Sequence, residues 1–493
     1  MTNDIKIGII QNAPLSADFS ANLRAIVQAY RDCIDRGANL VIAPAYALTG
    51  PELLDLSQRP SFQQQNQLAL ETLAKEIAHA PLIVASYSTG ISADDEENIF
   101  GLLDSSEFII EAPQVLCPFL LEDGAVTQLE EGEVCDILGL NVYVEVGDIE
   151  SMTDINELDL FVRLSTDSWY AGASNDIEES RRWEAQINNC PLLNIHSVGY
   201  AEGNVYAGGS CFYDREGTPV HRLPFFESAQ AVIALSASGR ARALPEQEAL
   251  LRSALSCCLR DYTRNMGYVG IAINIDLPNS GLLALLGAEA LGAQHVHAYS
   301  FEQGENLTAK ALGIKLTRLE NPMGETFLAS VPSMQQDTLP SLEARLKAAL
   351  LSSLAEQDGL ALISPLNRHQ LLMGEFSLYG ESCAKLLPFG GLYEMDLYLL
   401  SKHISDERPD CLGALAEPSR PQIDKILHRM QDNNCSAHYI IHESEGELSE
   451  QDVRLVQRRV LTSAEKRAQL PPILMLEAKG EQLRLPICHR LND

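Results

Sequence analysis

Thiols are the first candidates for chemistry in this chain, which carries 11 cysteines. A thiol attacks as the thiolate, and thiolate formation needs an electropositive neighbourhood or an adjacent base. Cys117, Cys135 and Cys190 stand in the first half. A cysteine with no activating base beside it is a small buried hydrophobe, and these three are read that way. Only Cys257 and Cys258 adjoin, and no Cys-x-x-Cys pair occurs, so reduced cytoplasmic thiols are expected. The acidic runs Asp94-Asp95-Glu96-Glu97 and Glu130-Glu131-Gly132-Glu133 read as solvated loops, and no metal site is expected. Ser280 stands where a strand gives way to a helix, a position an N-cap serine explains.

The elements that must position any such groups fall into two halves. From Ile5 to about Leu235, Val-, Ile- and Leu-rich runs bounded by Gly, Pro, Asn or Asp predict strands. They are 5–10, 40–43, 81–85, 108–110, 140–146, 159–164 and 192–197. Residues 21–37 have helical spacing, so this half reads as a layered α/β unit. Ser236 to Gln247 is small and polar, as a linker is. Beyond it, 248–266 reads as a helix and 270–274 as a buried strand. A loop, a helix at 280–291 and a strand at 295–300 follow, which together predict a parallel sheet. Further strands are predicted at 360–363 and 439–442 in a helix-rich remainder.

Bulk composition bounds the partners. The chain has 493 residues, 46% of them hydrophobic, and a formal net charge of −32. Such apolar content excludes a disordered chain. The acidic excess argues against nucleic acid and against an anionic membrane surface. No uncharged apolar run approaches the roughly 20 residues that span a bilayer. The start of the sequence has neither signal-peptide nor transit-peptide character, so a cytoplasmic location is expected.

The first half resembles the nitrilase, or carbon-nitrogen hydrolase, superfamily. The resemblance is carried by residues 7–12, by 37–44 followed by Ala47-Leu48-Thr49-Gly50, and by Gly208-Gly209-Ser210 with Gly217. Arg182, Pro191, Asn194 and Val198-Gly199 lie in order between them. The second half resembles the synthetase domain of glutamine-dependent NAD+ synthetase. Here the matches include Arg260-Asp261-Tyr262, residues 280–283 and 290–293, Leu378-Tyr379-Gly380, Lys466-Arg467 and Leu485-Pro486-Ile487. The implied fold class is α/β. Residues 1–238 form a nitrilase-like α-β-β-α sandwich. Residues 239–493 form a Rossmann-like, adenine nucleotide alpha hydrolase-like domain with a parallel sheet. Such enzymes hydrolyse glutamine in the first domain and use the ammonia to amidate an ATP-adenylated deamido-NAD in the second.

At the reacting positions the chain departs from that pattern. The resemblance places the family's glutamate base at Ala45, its lysine at Gln114 and its nucleophilic cysteine at Val146. None of these can serve as base, cation or nucleophile. The family's Ser-Gly-Gly-x-Asp-Ser pyrophosphate loop aligns with Ile275-Asp276-Leu277-Pro278-Asn279-Ser280. Both glycines are gone, Pro278 donates no N–H, and Asp276 places a negative charge toward an anion. Glu394 stands at a family lysine. Arg345, Arg368, Lys466 and Arg467 are the candidate residual anion contacts; structural ion pairing is the competing explanation.

Scaffold positions persist while reacting positions vanish in both halves. The resemblance therefore implies a non-catalytic homologue whose fold is kept for binding or assembly. Expected partners are further copies of the chain or a genuine NAD+ synthetase, with no nucleic acid, no membrane and no cofactor. Two alternatives stand beside it. One is a divergent active synthetase using ATP, Mg²⁺ and deamido-NAD. The other is a metabolite sensor on the same fold.

Overall fold

In the computed structural model the described residues are 5–88, 115–130, 132–148, 157–321, 326, 330, 336–409, 411–412, 417–418, 420–444 and 446–476. The chain divides into two compact units. The first comprises 1–201 and 206–244, the second 202–205 and 245–493. The division after Leu244 lies in a stretch, 237–246, with neither helix nor strand. The predicted strand at 108–110 and the run Asp94 to Glu97 lie outside the described residues.

The first unit is built on two six-stranded sheets. In chain order the first sheet takes β1 (Lys6–Gln11), β2 (Leu40–Ile42), β3 (Leu82–Ser88), β4 (Val115–Glu122) and β5 (Ala125–Gln128). The second takes β6 (Val134–Ile137), β7 (Leu140–Val146), β8 (Leu160–Leu164) and β9 (Leu192–Ile195). After the short ribbon β10 (Val198–Ala201) and β11 (Asn204–Ala207), β12 (Cys211–Tyr213) and β13 (Pro219–Arg222) complete the second sheet. β14 (Ala229–Ala234) returns to the edge of the first. Strand orders are β14-β1-β2-β3-β4-β5 and β13-β12-β9-β8-β7-β6.

Alternation along the strands makes the layers. Ile7, Ile9, Ile42 and Ile83 of the first sheet meet Val142, Val144, Val162 and Leu193 of the second in one apolar cluster. Residues one position on, Ile10, Val41 and Val84, pack instead against Ile26, Tyr30, Leu70 and Leu73 of the helices Phe19–Asp35 and Pro60–Glu76. The period of two thus sends each strand's residues to opposite faces. On the far side Tyr143, Phe161 and Leu192 pack against Ala185 of the helix Ala173–Ile187. The result is the expected α-β-β-α sandwich. Gly8 sets one close approach: a Cβ there would stand 2.8 Å from the Cβ of Cys33.

The second unit holds the expected parallel sheet. Its strands are β15 (Gly270–Asn274), β16 (Val296–Ser300), β17 (Lys315–Arg318) and β18 (Leu360–Ile363), in the order β17-β16-β15-β18. β15 pairs in parallel with both β16 and β18, so the chain reverses its direction of travel across the sheet there. Beside the sheet the helix Ser280–Leu291 is apolar nearly all round, as a helix covered on most sides must be.

One strand prediction is corrected. Residues 439–442 lie in the helix Ala437–Glu443. Ser436 caps it by accepting the Tyr439 N–H, and Ala437 and Ile440 bury at helical spacing. A short apolar run does not by itself separate strand from helix. β10 to β14 include five short strands, of which the sequence yielded none as a strand. Most are only three or four residues long, too short for an alternating pattern to register.

Candidate functional site

At the first locus, Ala45 follows the C-terminal end of β2 and Val146 ends β7. Ala45 belongs to the buried inter-sheet cluster and is wholly buried, whereas Val146 is half-buried and packs against the same cluster, as do Tyr46, Leu116 and Leu120. Both positions thus lie in an apolar setting at the inter-sheet core. Gln114 lies outside the described residues. Tyr46, next in sequence to Ala45, packs on Tyr206. The Tyr206 hydroxyl donates to Glu52 Oε1 at 2.7 Å, and the Tyr46 and Tyr206 rings meet edge-on at 5.8 Å.

Four thiols of the first unit are held in the protonated form, and Cys117 is half-buried on β4. Burial pushes Cys190 up to about 12, and Cys33 and Cys211 up to about 11. Burial, then Glu133 and Glu130, raises Cys135 as well. Each shift opposes thiolate formation.

Beyond Val146 the polar residues form a braced network. Arg163 bonds Glu184 Oε1 at 2.6 Å, Glu145 Oε2 at 3.0 Å and the Gly147 carbonyl at 2.9 Å. Arg181 also pairs with Glu184 and donates to the Asp148 carbonyl at 3.1 Å. Arg163 and Glu184 are both 0% exposed. Asp148 accepts the Thr166 and Asp167 N–H groups at 2.6 and 2.8 Å. Burial opposes its ionisation, but Ser165, Arg181 and the Thr166 N–H hold its carboxyl below the usual range. Next to it Asn194 links Ser165 Oγ to His196 Nε2, each at 2.8 Å. Burial lowers His196 to about 4, so it is neutral at pH 7. The cavity beside His196 is about 30 Å³, room for about one water.

At the second locus the loop 275–280 leaves the C-terminal end of β15. Four of its N–H groups are used internally. Ile275 donates to Tyr299, Asp276 to Asn274 Oδ1, Leu277 to Asn274 and Ser280 to Leu277. Pro278 has none to give. The expectation that Ser280 caps the helix is corrected: Asn279, in the left-handed region at φ 61°, is the cap. Ser280 is the first helical residue, and its hydroxyl donates to the Ile275 and Leu277 carbonyls. The Asp276 carboxylate accepts Ser300 Oγ at 2.6 Å and the Phe301 N–H at 2.7 Å, tying β15 to β16.

Over this loop lies a cleft of about 310 Å³ at the carboxyl ends of β15 and β18, where the strand order switches. Crevices at such points are where open α/β sheets bind ligands. Asp276, Glu302, Glu343 and Glu381 line it, with Lys347 the only cation among its described lining. Lys347 sits 5.2 Å over the Phe301 ring. Four carboxylates facing one ammonium make the cleft repel anions. Glu302 and Lys347 escaped the sequence reading. Their signals were present: Glu302 follows the end of β16, and Lys347 lies one helical turn from Glu343.

None of the four candidate anion contacts lines the cleft. Arg345 is exposed and donates to the Leu378 carbonyl at 3.1 Å. Arg368 is buried against Asp432 and the Tyr393 hydroxyl. Lys466 donates to the Gly374 and Phe376 carbonyls at 3.1 and 2.9 Å. Arg467 donates to Ser463 Oγ and the Leu372 carbonyl. The last two serve carbonyls at the end of the helix Arg368–Met373 and just beyond it. Among the described residues no group of three or more His, Cys, Asp or Glu is placed to hold a metal ion.

No family model matches the chain. It is 24% identical to a glutamine-dependent NAD+ synthetase of Synechocystis, over 99% of both chains. It is 22% identical to one of Rhodobacter capsulatus, over 81% of this chain and 78% of that one. Among solved structures, a glutamine-dependent NAD+ synthetase from Cytophaga hutchinsonii superposes with a TM-score of 0.82 at 14% identity, over 99% of this chain and 98% of that one. One from Acinetobacter baumannii gives 0.73 at 17% identity, over 98% of each. Over its full length the chain is a homologue of the glutamine-dependent NAD+ synthetases, with their two-domain architecture.

Proposed function

We propose that this chain is a non-catalytic homologue of glutamine-dependent NAD+ synthetase that acts by binding, as a regulatory or assembly partner of an active synthetase. The observation that carries it is the apolar setting of Ala45, buried in the inter-sheet cluster, and of Val146, packed against the same cluster, the positions at which the resemblance puts the family's base and thiol. The second locus supports the same reading, since four of its loop donors bond within the fold and its cleft is acidic. On this reading the chain needs no ATP, Mg²⁺ or deamido-NAD, works in the cytoplasm, and assembles with copies of itself or with the active enzyme.

Two measurements test it together. Purified chain supplied with glutamine is expected to release no ammonia. Added to an active glutamine-dependent NAD+ synthetase of the same cell, it is expected to co-sediment and to change that enzyme's rate. Glutamine hydrolysis by the chain would overturn the loss of catalysis. An unchanged rate with no co-sedimentation would overturn the partner role.

The cleft favours one further reading, a sensor of a small cationic metabolite. Four carboxylates in about 310 Å³ suit an amine. A polyamine or basic amino acid that raises the melting temperature without being consumed would support it.

A further inference from the structure

Among the described residues, the first unit leaves a strand edge open. β14 borders its sheet, with β1 as its partner there. The Leu235 N–H donates to the Ile5 carbonyl at 2.8 Å. In an antiparallel pair the bonding direction alternates along the strand, so residues 229, 231 and 233 bond toward β1. The N–H groups of Gln230, Val232 and Ala234 therefore point away from the sheet. On that side the Gln230 carbonyl accepts Arg36 at 3.2 Å and the Ala234 carbonyl accepts the Ala237 N–H at 2.9 Å.

Such an edge is a template for another strand, and proteins usually blunt it with charge, proline or a bulge. β14 has none of these. Its sequence is Ala-Gln-Ala-Val-Ile-Ala, and its register against β1 runs unbroken from Lys6↔Ala234 to Gln11↔Ala229. Beside it lies a groove of about 580 Å³, bounded by β14 and by the residues at the end of β13. Lys6, Arg36, His221 and Arg222 line it, and no carboxylate does. Arg222 is held by Glu178 and by the Arg242 carbonyl. Lys6 and Arg36 are exposed. A cationic groove in a chain of net charge −32 selects an occupant of opposite sign. A second copy fits poorly, because a two-fold pairing of β14 with itself would bring the Lys6 and Arg36 pairs together.

We propose that β14 docks an extended acidic peptide segment of a partner protein by strand addition. Gln230, Val232 and Ala234 supply main-chain donors, and Lys6 and Arg36 select the charge. This does not depend on whether either locus turns over.

The probe is a fluorescein-labelled peptide of alternating glutamate and valine, with a lysine–valine counterpart, titrated into the full chain at low salt. The acidic peptide is expected to bind and the basic one not to. Lys6→Glu with Arg36→Glu should weaken binding about tenfold or more. Val232→Pro removes an outward N–H and no bond to β1, and should abolish binding with an unchanged circular dichroism spectrum. Hydrogen exchange at Gln230, Val232 and Ala234 should slow on binding. If Val232→Pro does not fold, the charge variant and the exchange decide. The proposal is overturned by no binding of the acidic peptide, by equal binding of both peptides, or by unchanged exchange at β14. A dimer in sedimentation that Val232→Pro dissolves would also overturn it, by assigning the edge to a second copy.

Discussion

On the proposed reading, the two loci depart from chemistry in different ways. In the first unit, Ala45 is buried in the inter-sheet core and Val146 is half-buried against it. Its remaining polar groups, Arg163, Arg181, Glu184 and Asp148, are bonded to one another and brace the end of β7. In the second unit the cleft stays open. Its loop has turned its donors inward, and carboxylates line the space. A closed site can only contribute stability, whereas an open one can still take a ligand of another kind. The polar residues of the first locus should therefore govern folding, and those of the second should govern binding.

The largest effect is expected at the closed locus. Glu184→Ala leaves Arg163 and Arg181 without their shared carboxylate and should cost about 3–5 kcal/mol in chemical denaturation. A cost under about 1 kcal/mol would show that the network does not brace the sandwich. Ala45→Glu, which puts a carboxylate where the resemblance places the family's base, should cost about 3 kcal/mol through overpacking and an unpaired buried charge. Stability equal to the parent would mean that the site has room after all.

Two buried histidines set the units apart in pH. His196 is lowered to about 4 by burial. The unfolded chain then binds more protons below the ordinary histidine value, so His196 should cost stability as pH falls from about 6.5 toward 4. His369 moves the other way. Burial lowers it, but the Asp424 carboxylate, bonded to Nδ1 at 2.6 Å, outweighs that and raises it. Glu394 on its own side and Glu375 act in the same sense. Its stabilisation is full below about 6.5 and is lost as pH rises through the folded value. Melting curves of His196→Gln and Asp424→Asn against the parent should show these opposite slopes, and parallel curves would contradict the assignment.

The smallest stability change belongs to the open cleft. Glu343→Gln with Glu381→Gln should shift stability by only about 0.5 kcal/mol, yet should strengthen binding of pyrophosphate measured by calorimetry. If pyrophosphate binds the parent as well as the variant, the carboxylates do not screen the cleft.

Much of this was legible because it depends on local pattern. The runs 140–146, 270–274, 280–291 and 360–363 coincide with their elements end to end. Ala45 and Val146 were singled out from flanking Pro44 and from the end of a buried run; Ala45 lies in the inter-sheet cluster and Val146 against it. What stayed hidden depends on partners distant in sequence. Nothing near Arg368, Lys466 or Arg467 announces that each is committed to Asp432 or to backbone carbonyls. The open edge of β14 follows from strand order, which no local pattern encodes.

The most direct test of the central claim bypasses the closed locus. The chain is supplied with deamido-NAD, ATP, Mg²⁺ and ammonia, and NAD+ formation is followed to completion. The account predicts no NAD+ above the protein-free blank. Steady turnover that Arg345→Ala abolishes would contradict it.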